Sequence, residues 1–126
     1  MKKVLFLFLI IFLTGCTVME FSISSVRVCR SIKDGEPVGE DTEFSNAGEI
    51  YCWLSYDHAP EKTVIKAIWY YEDEKMYEKK AELQSSSGSL WFSISSTEKH
   101  LPAGNYRVDI YANDQLKEKK EFSITR

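Results

Sequence analysis

The chain has 126 residues, enough for one domain of ordinary size and too few for two. Apolar residues make up 44% of it and charged residues 28%, a balance that excludes wholesale disorder and collagen-like repetition. The formal net charge of −3 comes without a basic stripe, so we expect no nucleic-acid partner.

The N-terminus has the features of an export signal. Lysines at positions 2 and 3 precede an unbroken apolar run over residues 4–13, and small residues follow it. As a helix this run is about 15 Å long, half of the hydrocarbon core of a bilayer, so it is too short to span a membrane. A charged start, a short apolar segment and small residues at its end are typical of a secretory signal peptide.

The four residues Leu13-Thr14-Gly15-Cys16 resemble the lipobox of bacterial lipoproteins. The resemblance implies cleavage between Gly15 and Cys16 and acylation of Cys16, because a cysteine thiol is the nucleophile that takes up the diacylglyceryl group, with palmitate among its acyl chains. Residues 1–15 are then a lipoprotein signal peptide, and residues 16–20 are a lipidated N-terminus and a short tether. An ordinary signal peptide cleaved near Cys16 is the alternative.

A lipoprotein of this kind contacts the membrane through its N-terminal acyl chains, and two or three such chains make a stable anchor. We therefore expect the protein in the cell envelope, on the extracytoplasmic side of a membrane. The tether reaches about 15 Å, which keeps the domain close to the bilayer. Thr17 is not the aspartate that retains lipoproteins on the inner membrane of some bacteria, and the choice between inner and outer membrane stays open.

Residues 21–126 predict an all-β domain. Runs rich in β-branched and aromatic residues alternate with turn signals about every ten residues, the pattern of an antiparallel β-sandwich. The first strand is predicted over residues 21–32, with Ile23, Val26 and Val28 as its apolar residues. The stretch over residues 34–39, rich in glycine and proline, predicts a loop.

Two strands with clear alternation follow. In the strand predicted over residues 49–56, Ile50, Cys52 and Leu54 share the face that we assign to the core. The strand predicted over residues 64–71 alternates in the same way, and its core-facing residues are Ile65, Ala67, Trp69 and Tyr71.

The segment over residues 72–84 is ambiguous. Its composition favours a helix by propensity. However, Tyr77, Ala81 and Leu83 share the parity of one strand face, and residues 72–75 fit a hairpin turn. Because the neighbouring segments are strands, we predict a strand here and keep the helix as the alternative.

The next strand follows a loop over residues 85–88 and carries Leu90, Phe92 and Ile94 on its core face. The sequence Leu101-Pro-Ala-Gly-Asn-Tyr106 then resembles the tyrosine corner of Greek-key sandwiches, in which the phenol hydroxyl bonds back to the backbone.

The last hairpin has a turn at Asn113-Asp114 and a final strand over residues 116–125. In that strand Glu118 and Lys120 share the parity of the apolar Phe122 and Ile124. Burying the two charges would be costly, so we expect a β-bulge or an exposed edge at this point.

Several segments together resemble a class of small immunoglobulin-like domains of exported bacterial proteins. The resemblance implies an immunoglobulin-like antiparallel β-sandwich of about seven strands over residues 21–126, with a core tryptophan, a tyrosine corner and a closing hairpin. It carries no catalytic residue across, because fold alone does not give function. The segments that carry it are residues 29–37, Ile50-Tyr-Cys-Trp53, Trp69-Tyr-Tyr71 and residues 101–111.

Cys29 and Cys52 remain once Cys16 is lipidated. In an oxidising compartment two such cysteines predict a disulfide between the first two strands, worth ~3 kcal/mol in the chain-entropy interpretation. Strand alternation favours the alternative of two buried free thiols, because it places Cys29 on the face of Arg27 and Cys52 on that of Ile50.

The candidate catalytic groups are few. His58 and His100 both lie in predicted loops without a third ligand at metal spacing, so we predict no metal site, no cofactor and no catalytic residue. The chain is therefore predicted not to be an enzyme.

Aromatic residues are the better candidates for a binding site. Several of them fall on strand faces opposite the inferred core and predict an exposed aromatic binding face. A shift of one residue in parity would turn these side chains inward, which is the alternative. The residues concerned are Tyr51, Trp53, Tyr70 and Trp91.

We therefore expect a membrane-anchored, non-catalytic binding or adaptor module that docks onto another envelope protein. A carbohydrate or cell-wall binding module is the first alternative, because outward aromatic rings stack on sugars. A structural subunit of a larger envelope assembly is the second.

Overall fold

A computed structural model of the chain describes residues 20–126, which form nine β-strands and no helix. The strands are β1 (Ser22–Lys33), β2 (Glu36–Glu40), β3 (Glu43–Ser45), β4 (Glu49–Asp57), β5 (Val64–Tyr71), β6 (Glu74–Glu82), β7 (Gly88–Ser95), β8 (Gly104–Ala112) and β9 (Gln115–Thr125). They make two sheets, a four-stranded one with the order β2-β1-β4-β7 and a five-stranded one with the order β3-β9-β8-β5-β6.

This strand order is that of an immunoglobulin-like sandwich. In the shorter sheet, β1, β4 and β7 take the positions of immunoglobulin strands A, B and E, while β5, β8 and β9 take those of C, F and G in the longer sheet. Every pairing of neighbours in the described sheets is antiparallel except that of β3 with β9. The predicted all-β sandwich is confirmed, although the described residues form nine strands instead of about seven.

The two additional strands are β2 and β3. The stretch over residues 34–39, which we predicted as a loop, contains most of β2. Asp34 and Gly35 both have positive φ, of 53° and 78°, so they form a two-residue turn of the I′ kind that joins β1 to β2 as a hairpin. The third strand is only three residues long and pairs in parallel with the end of β9.

The apolar core lies between the two sheets. Trp69 of β5 is fully buried and makes an edge-to-face contact with Phe122 of β9, with ring centroids 6.2 Å apart. Phe122 in turn stacks on Tyr106 and meets Phe44 of β3 edge-on. The predicted core faces of β4, β5 and β7 are therefore confirmed, with Tyr71 and Leu90 packed against the core as partly buried residues.

β-Bulges explain two places where apolar residues depart from the regular alternation of a strand. A register shift between Ile23 and Ser25 brings Ile23 onto the same face as Val26 and Val28, despite the odd spacing. A second shift lies opposite the start of β9, between Ile110 and Tyr111.

The predicted conflict in the last strand is resolved in both of the expected ways. The bulge lies beside the charged run, and the first half of β9 is a free edge because β3 pairs only with residues 123–125. Glu118 is exposed and Lys120 is half-buried, so neither charge is enclosed in the core.

The ambiguous segment is a strand. β6 pairs with β5 from Glu74 to Glu82, with one register shift that leaves Met76 unpaired, and this makes the helix alternative wrong. Its propensity for helix is overridden because the hairpin turn at Glu72 and Asp73, with φ of 50° and 68°, returns the chain directly alongside β5.

The tyrosine corner is also confirmed. The Tyr106 hydroxyl donates a 2.6 Å hydrogen bond to the carbonyl of Pro102, and Leu101 is buried beside the corner. A second phenol supports the same loop, because the Tyr71 hydroxyl donates to the carbonyl of Ala103 at 2.7 Å. Burial raises the pKa of Tyr106 to about 12, with the neighbouring Tyr71 as the next cause.

Candidate functional site

The predicted cleavage and lipidation residues, Gly15 and Cys16, lie outside the described residues 20–126. The described chain begins just before β1, whose first residue is Ser22. Within residues 20–126 there is no helix long and apolar enough to cross a membrane.

The structure divides the predicted aromatic face between the two sheets. Tyr51, Trp53 and Trp91 lie on the outer face of the shorter sheet, where Trp53 and Trp91 are directly opposite each other on β4 and β7. Tyr70 lies on the outer face of the longer sheet, so its assignment to the same binding face was wrong. There the guanidinium of Arg107 covers its ring, 4.1 Å from the centroid.

Trp53 is also unavailable as a binding residue, since only 7% of it is exposed. Its indole Nε1 donates a 2.8 Å hydrogen bond to the carbonyl of Gly35, in the turn of the β1–β2 hairpin. Trp53 is opposite Arg27 in the ladder of β1 and β4, whereas Gly35 comes after the end of β1. If β1 continued straight, Gly35 would lie far from Trp53. The hairpin therefore folds back over the outer face of the sheet and covers Trp53.

Tyr51 and Trp91 remain accessible. Tyr51 is half-buried, and its pKa is raised, first by the neighbouring Glu49 carboxylate and then by burial. Trp91 is 43% exposed. These two are the members of the predicted face that the structure leaves open on one sheet.

The predicted disulfide is absent from the structure, where Cys29 and Cys52 are free buried thiols. Cys52 is opposite Val28 and points into the core, whereas Cys29 is opposite Tyr51 on the outer face. The structure therefore shows the alternative that strand alternation favoured, because in this register the two side chains leave the sheet on opposite sides. Burial is the first cause of the raised pKa of each thiol, and it raises that of Cys52 to about 12.

Three of the five exposed large apolar side chains that the structure describes line a cleft between β6, at one end of the longer sheet, and β7, at the end of the shorter sheet. Two adjoining hollows of about 450 Å³ and 320 Å³ lie there, and Tyr77 and Ser93 line both. Met76 is 41% and Tyr77 45% exposed, and Trp91 lies on the opposite wall. We call this surface the edge cleft.

Sequence reasoning missed the β6 side of the edge cleft. Tyr77 and Ala81 were assigned to one strand face, and the register confirms that they share it with Lys79. The pattern indicated a core face, because an apolar parity alone does not reveal whether a facing strand is present to cover it.

The histidines lie apart from the edge cleft. His58, in the loop after β4, is exposed and its Nε2 is 3.6 Å from the carboxylate of Asp57. His100 is exposed in the loop before β8. Among residues 20–126, no group of three or more His, Cys, Asp or Glu side chains is placed to hold a metal ion.

Comparison with known proteins supports the fold and goes no further. No protein-family profile and no curated protein matches the chain. Among solved structures, the chain is similar to part of an alkylpurine DNA glycosylase, AlkC from Pseudomonas fluorescens, bound to DNA containing an abasic site analog. The TM-score is 0.51 and the identity 17%, over 85% of this chain and 31% of that one.

A second similarity, to a beta-glucosidase from Listeria innocua in complex with isofagomine, has a TM-score of 0.48 at 13% identity. It covers 85% of this chain and 16% of that one. The chain thus spans a third or less of these two proteins. At such identities the first likeness concerns the β-sandwich alone, as one part of a larger enzyme.

Proposed function

We propose that the chain is an exported lipoprotein whose β-sandwich is a non-catalytic binding module for another protein of the cell envelope. Acyl chains on Cys16 anchor it to the extracytoplasmic side of a membrane, and the sandwich presents a docking surface to the partner. The observation that carries the binding role is the edge cleft, where Met76, Tyr77 and Trp91 expose apolar surface side by side.

The anchoring part of the proposal rests on Leu13-Thr14-Gly15-Cys16 and on the start of the fold. Because β1 begins at Ser22, the chain between the lipidated cysteine and the first strand is at most about 20 Å long when extended. A domain held so close to the bilayer meets partners that are themselves in or on the membrane. Restriction to that layer raises the effective concentration of such a partner.

The anchor is tested by metabolic labelling with a palmitate analogue. The wild-type protein is expected to carry the label and to fractionate with membranes, whereas Cys16→Ala is expected to carry no label. Cys29→Ala is the matched control and should label as the wild type does. An unlabelled wild-type protein in the cytoplasmic fraction would contradict the anchor.

The binding role is tested by crosslinking in the native membrane, followed by purification and mass spectrometry. We expect a protein partner whose crosslinks map to β6 and β7. A matched variant, Trp91→Glu, places a charge in the edge cleft and should lose the partner while keeping the label on Cys16. Crosslinks that are unchanged by Trp91→Glu would contradict the assignment of this surface.

The carbohydrate alternative keeps a specific observation in its favour, since Tyr77 and Trp91 expose aromatic rings on the two walls of the edge cleft. Sugar rings stack on such side chains. Two of the four aromatic residues first considered do not contribute, because Trp53 is buried and Tyr70 lies on the other sheet. A glycan-binding screen with wild type and Trp91→Ala decides whether this alternative stands.

A further inference from the structure

At the edge cleft, the five-stranded sheet extends one strand beyond the four-stranded sheet. The register places Tyr77 opposite Trp69 and Ala81 opposite Ile65, and both β5 residues are fully buried. Residues directly opposite each other share a face of the sheet, so this side of β6 points toward the layer of the shorter sheet. Yet Tyr77 is among the most exposed apolar residues that the structure describes. The shorter sheet has no strand beneath this part of β6.

The backbone of β7 is open on the same side. Ser96 donates its amide hydrogen to the carbonyl of Gly48, in the continuation of the β4–β7 ladder, at 3.2 Å. Bonded and non-bonded pairs alternate along an antiparallel ladder, so Leu90, Phe92 and Ile94 bond to β4. The amides and carbonyls that face away from β4 belong to Ser89, Trp91, Ser93 and Ser95.

The free edge of β7 lacks the usual protections. The other terminal strands of the two sheets have them: β2 is short and contains Pro37, β3 has three residues, and β6 is rich in lysine and glutamate. The sequence of β7 is Gly-Ser-Leu-Trp-Phe-Ser-Ile-Ser, with no charge and no proline. An edge of this kind is a template for pairing with another strand.

We propose that the free edge of β7 binds an extended peptide segment of a partner protein, which adds to the shorter sheet as its fifth strand. This inference rests on the proposed function as a protein-binding module and names the binding site and the class of partner. Main-chain hydrogen bonds to β7 supply affinity, and the side chains of β6 supply specificity.

The chemistry of the segment follows from the residues that it would cover. Its side chains on the inner face alternate, and they meet Tyr77, Lys79 and Ala81 in turn. Tyr77 and Ala81 favour apolar groups. Lys79 is exposed and forms no ion pair within residues 20–126, so it favours a carboxylate at the position between them. The expected segment is thus apolar, acidic, apolar at alternate positions.

A second copy of this chain is a poorer occupant. Pairing of two β7 strands about a two-fold axis would place the longer sheets of both copies in the same layer. Each longer sheet extends past its own β7 through β6, so β6 of each copy would overlap the longer sheet of the other copy. A single strand from another protein avoids this overlap.

The probe for a direct test is a seven-residue peptide, acetyl-Thr-Val-Thr-Glu-Thr-Val-Thr-amide. Its alternate side chains are Val, Glu and Val, and the sequence reads the same in both directions, so it serves parallel and antiparallel pairing. A second peptide with Lys in place of Glu tests the charge preference. A third, with N-methyl groups on the amides that pair with β7, removes the hydrogen bonds.

Amide hydrogen exchange of the full chain, purified in detergent, identifies the strand that pairs. We expect the Glu peptide to slow exchange at least tenfold at Ser89, Trp91, Ser93 and Ser95, while Leu90, Phe92 and Ile94 are slow with or without it. The N-methylated peptide should protect none of these amides. Ser93→Pro, which is tolerated on a free edge, should fold with an unchanged melting temperature and lose binding.

Charge reversal tests the specificity. Wild type should bind the Glu peptide about tenfold more tightly than the Lys peptide, and Lys79→Glu should invert this preference. Lys80→Glu makes the same charge change on the opposite face of β6 and should leave the preference as it is in wild type.

Each contrary outcome has its own meaning. No protection by the Glu peptide, or equal affinity for it in wild type and Lys79→Glu, would overturn the proposed strand addition. Protection of the four alternate amides without peptide, together with dimers in solution, would assign the edge to a second copy and also overturn it. If the crosslinked envelope partner is nevertheless retained by Ser93→Pro, the binding module stands and only its site is wrong.

Discussion

Trp53 and Trp91 lie directly opposite each other on β4 and β7, yet only Trp91 is exposed. The difference comes from the β1–β2 hairpin, whose turn at Gly35 reaches back over the sheet and accepts the hydrogen bond of the Trp53 indole. The same outer face therefore has a closed half, next to β1, and an open half at β7. The proposed partner would therefore have access only to the open half, because the protein covers the other half itself.

The two tryptophans should respond differently to the same substitution. Trp53→Phe removes the bond to Gly35 and leaves a void under the hairpin, so we expect a loss of about 1–2 kcal/mol in the free energy of unfolding. Trp91→Phe changes an exposed side chain and should stay within about 0.5 kcal/mol of wild type. Urea denaturation of both variants measures the contrast. Equal losses would mean that the hairpin does not cover Trp53 in solution.

The tyrosine corner should contribute to stability through one hydrogen bond. Tyr106→Phe removes the donor to Pro102 and leaves that carbonyl without its partner, at a cost of about 1–1.5 kcal/mol. Tyr111→Phe is the matched control on the same strand, because its hydroxyl makes no hydrogen bond within residues 20–126 and points to the outer face. Thermal melting distinguishes the two. A Tyr106→Phe variant as stable as the control would contradict the corner.

Tyr106 should also make the fold sensitive to alkali. Its pKa is raised from 10.0 to about 12 in the folded state, mainly by burial. Below pH 10 the phenol is protonated in both states, and its stabilising contribution is complete. As pH rises from about 10 through 12, the unfolded chain loses the proton while the folded chain keeps it, so stability falls. The urea midpoint should drop less steeply over this range in Tyr106→Phe than in Tyr111→Phe.

The two cysteines should behave as free, protected thiols. Both have raised pKa values because of burial, and the thiolate is the reactive form. We expect iodoacetamide to leave Cys29 and Cys52 unmodified in the native protein and to alkylate both in urea, without prior reduction. Peptide mass spectrometry reads out both sites. A peptide pair that is released only by a reductant would reveal a disulfide and contradict the register of β1 and β4.

Local patterns in the sequence predicted the parts of this fold that depend on neighbouring residues. Alternation identified the buried faces of β4 and β5, and Leu101 with Tyr106 identified the corner, because each signal is contained within one strand or one loop. The turn at Asn113 and Asp114 was predictable for the same reason, since both residues tolerate the positive φ that the hairpin requires.

The candidate site depended on relationships between strands, which alternation does not contain. The side chains of Tyr70 and Trp91 both lie on strand faces that point away from the core, but the two residues belong to different sheets. Tyr77 lies on the same face of its sheet as the buried Trp69, but it is exposed because the shorter sheet ends at β7. Whether an apolar face becomes core or exposed surface was set by the number of strands opposite it, and that number follows only from the complete topology.

The β5–β6 turn provides a last test, of backbone strain. Glu72 and Asp73 both have positive φ, and a non-glycine residue in this conformation costs about 1–2 kcal/mol, somewhat less for aspartate. Asp73 forms a 3.4 Å ion pair with Arg107, but its side chain is 92% exposed, so this contact contributes little. Glu72 is less suitable for substitution, because its carboxylate accepts the Asn105 amide hydrogen at 2.6 Å.

Asp73→Gly should therefore raise the free energy of unfolding by about 0.5–1 kcal/mol, because relief of the strain exceeds the loss of the ion pair and the added flexibility of the unfolded chain. Asp73→Ala is the control that removes the same carboxylate and keeps the Cβ atom, and we expect it to be less stable than wild type. Urea denaturation measures both. If the glycine and alanine variants lost stability equally, the ion pair with Arg107 would be the dominant contribution of Asp73, and the strain would be negligible.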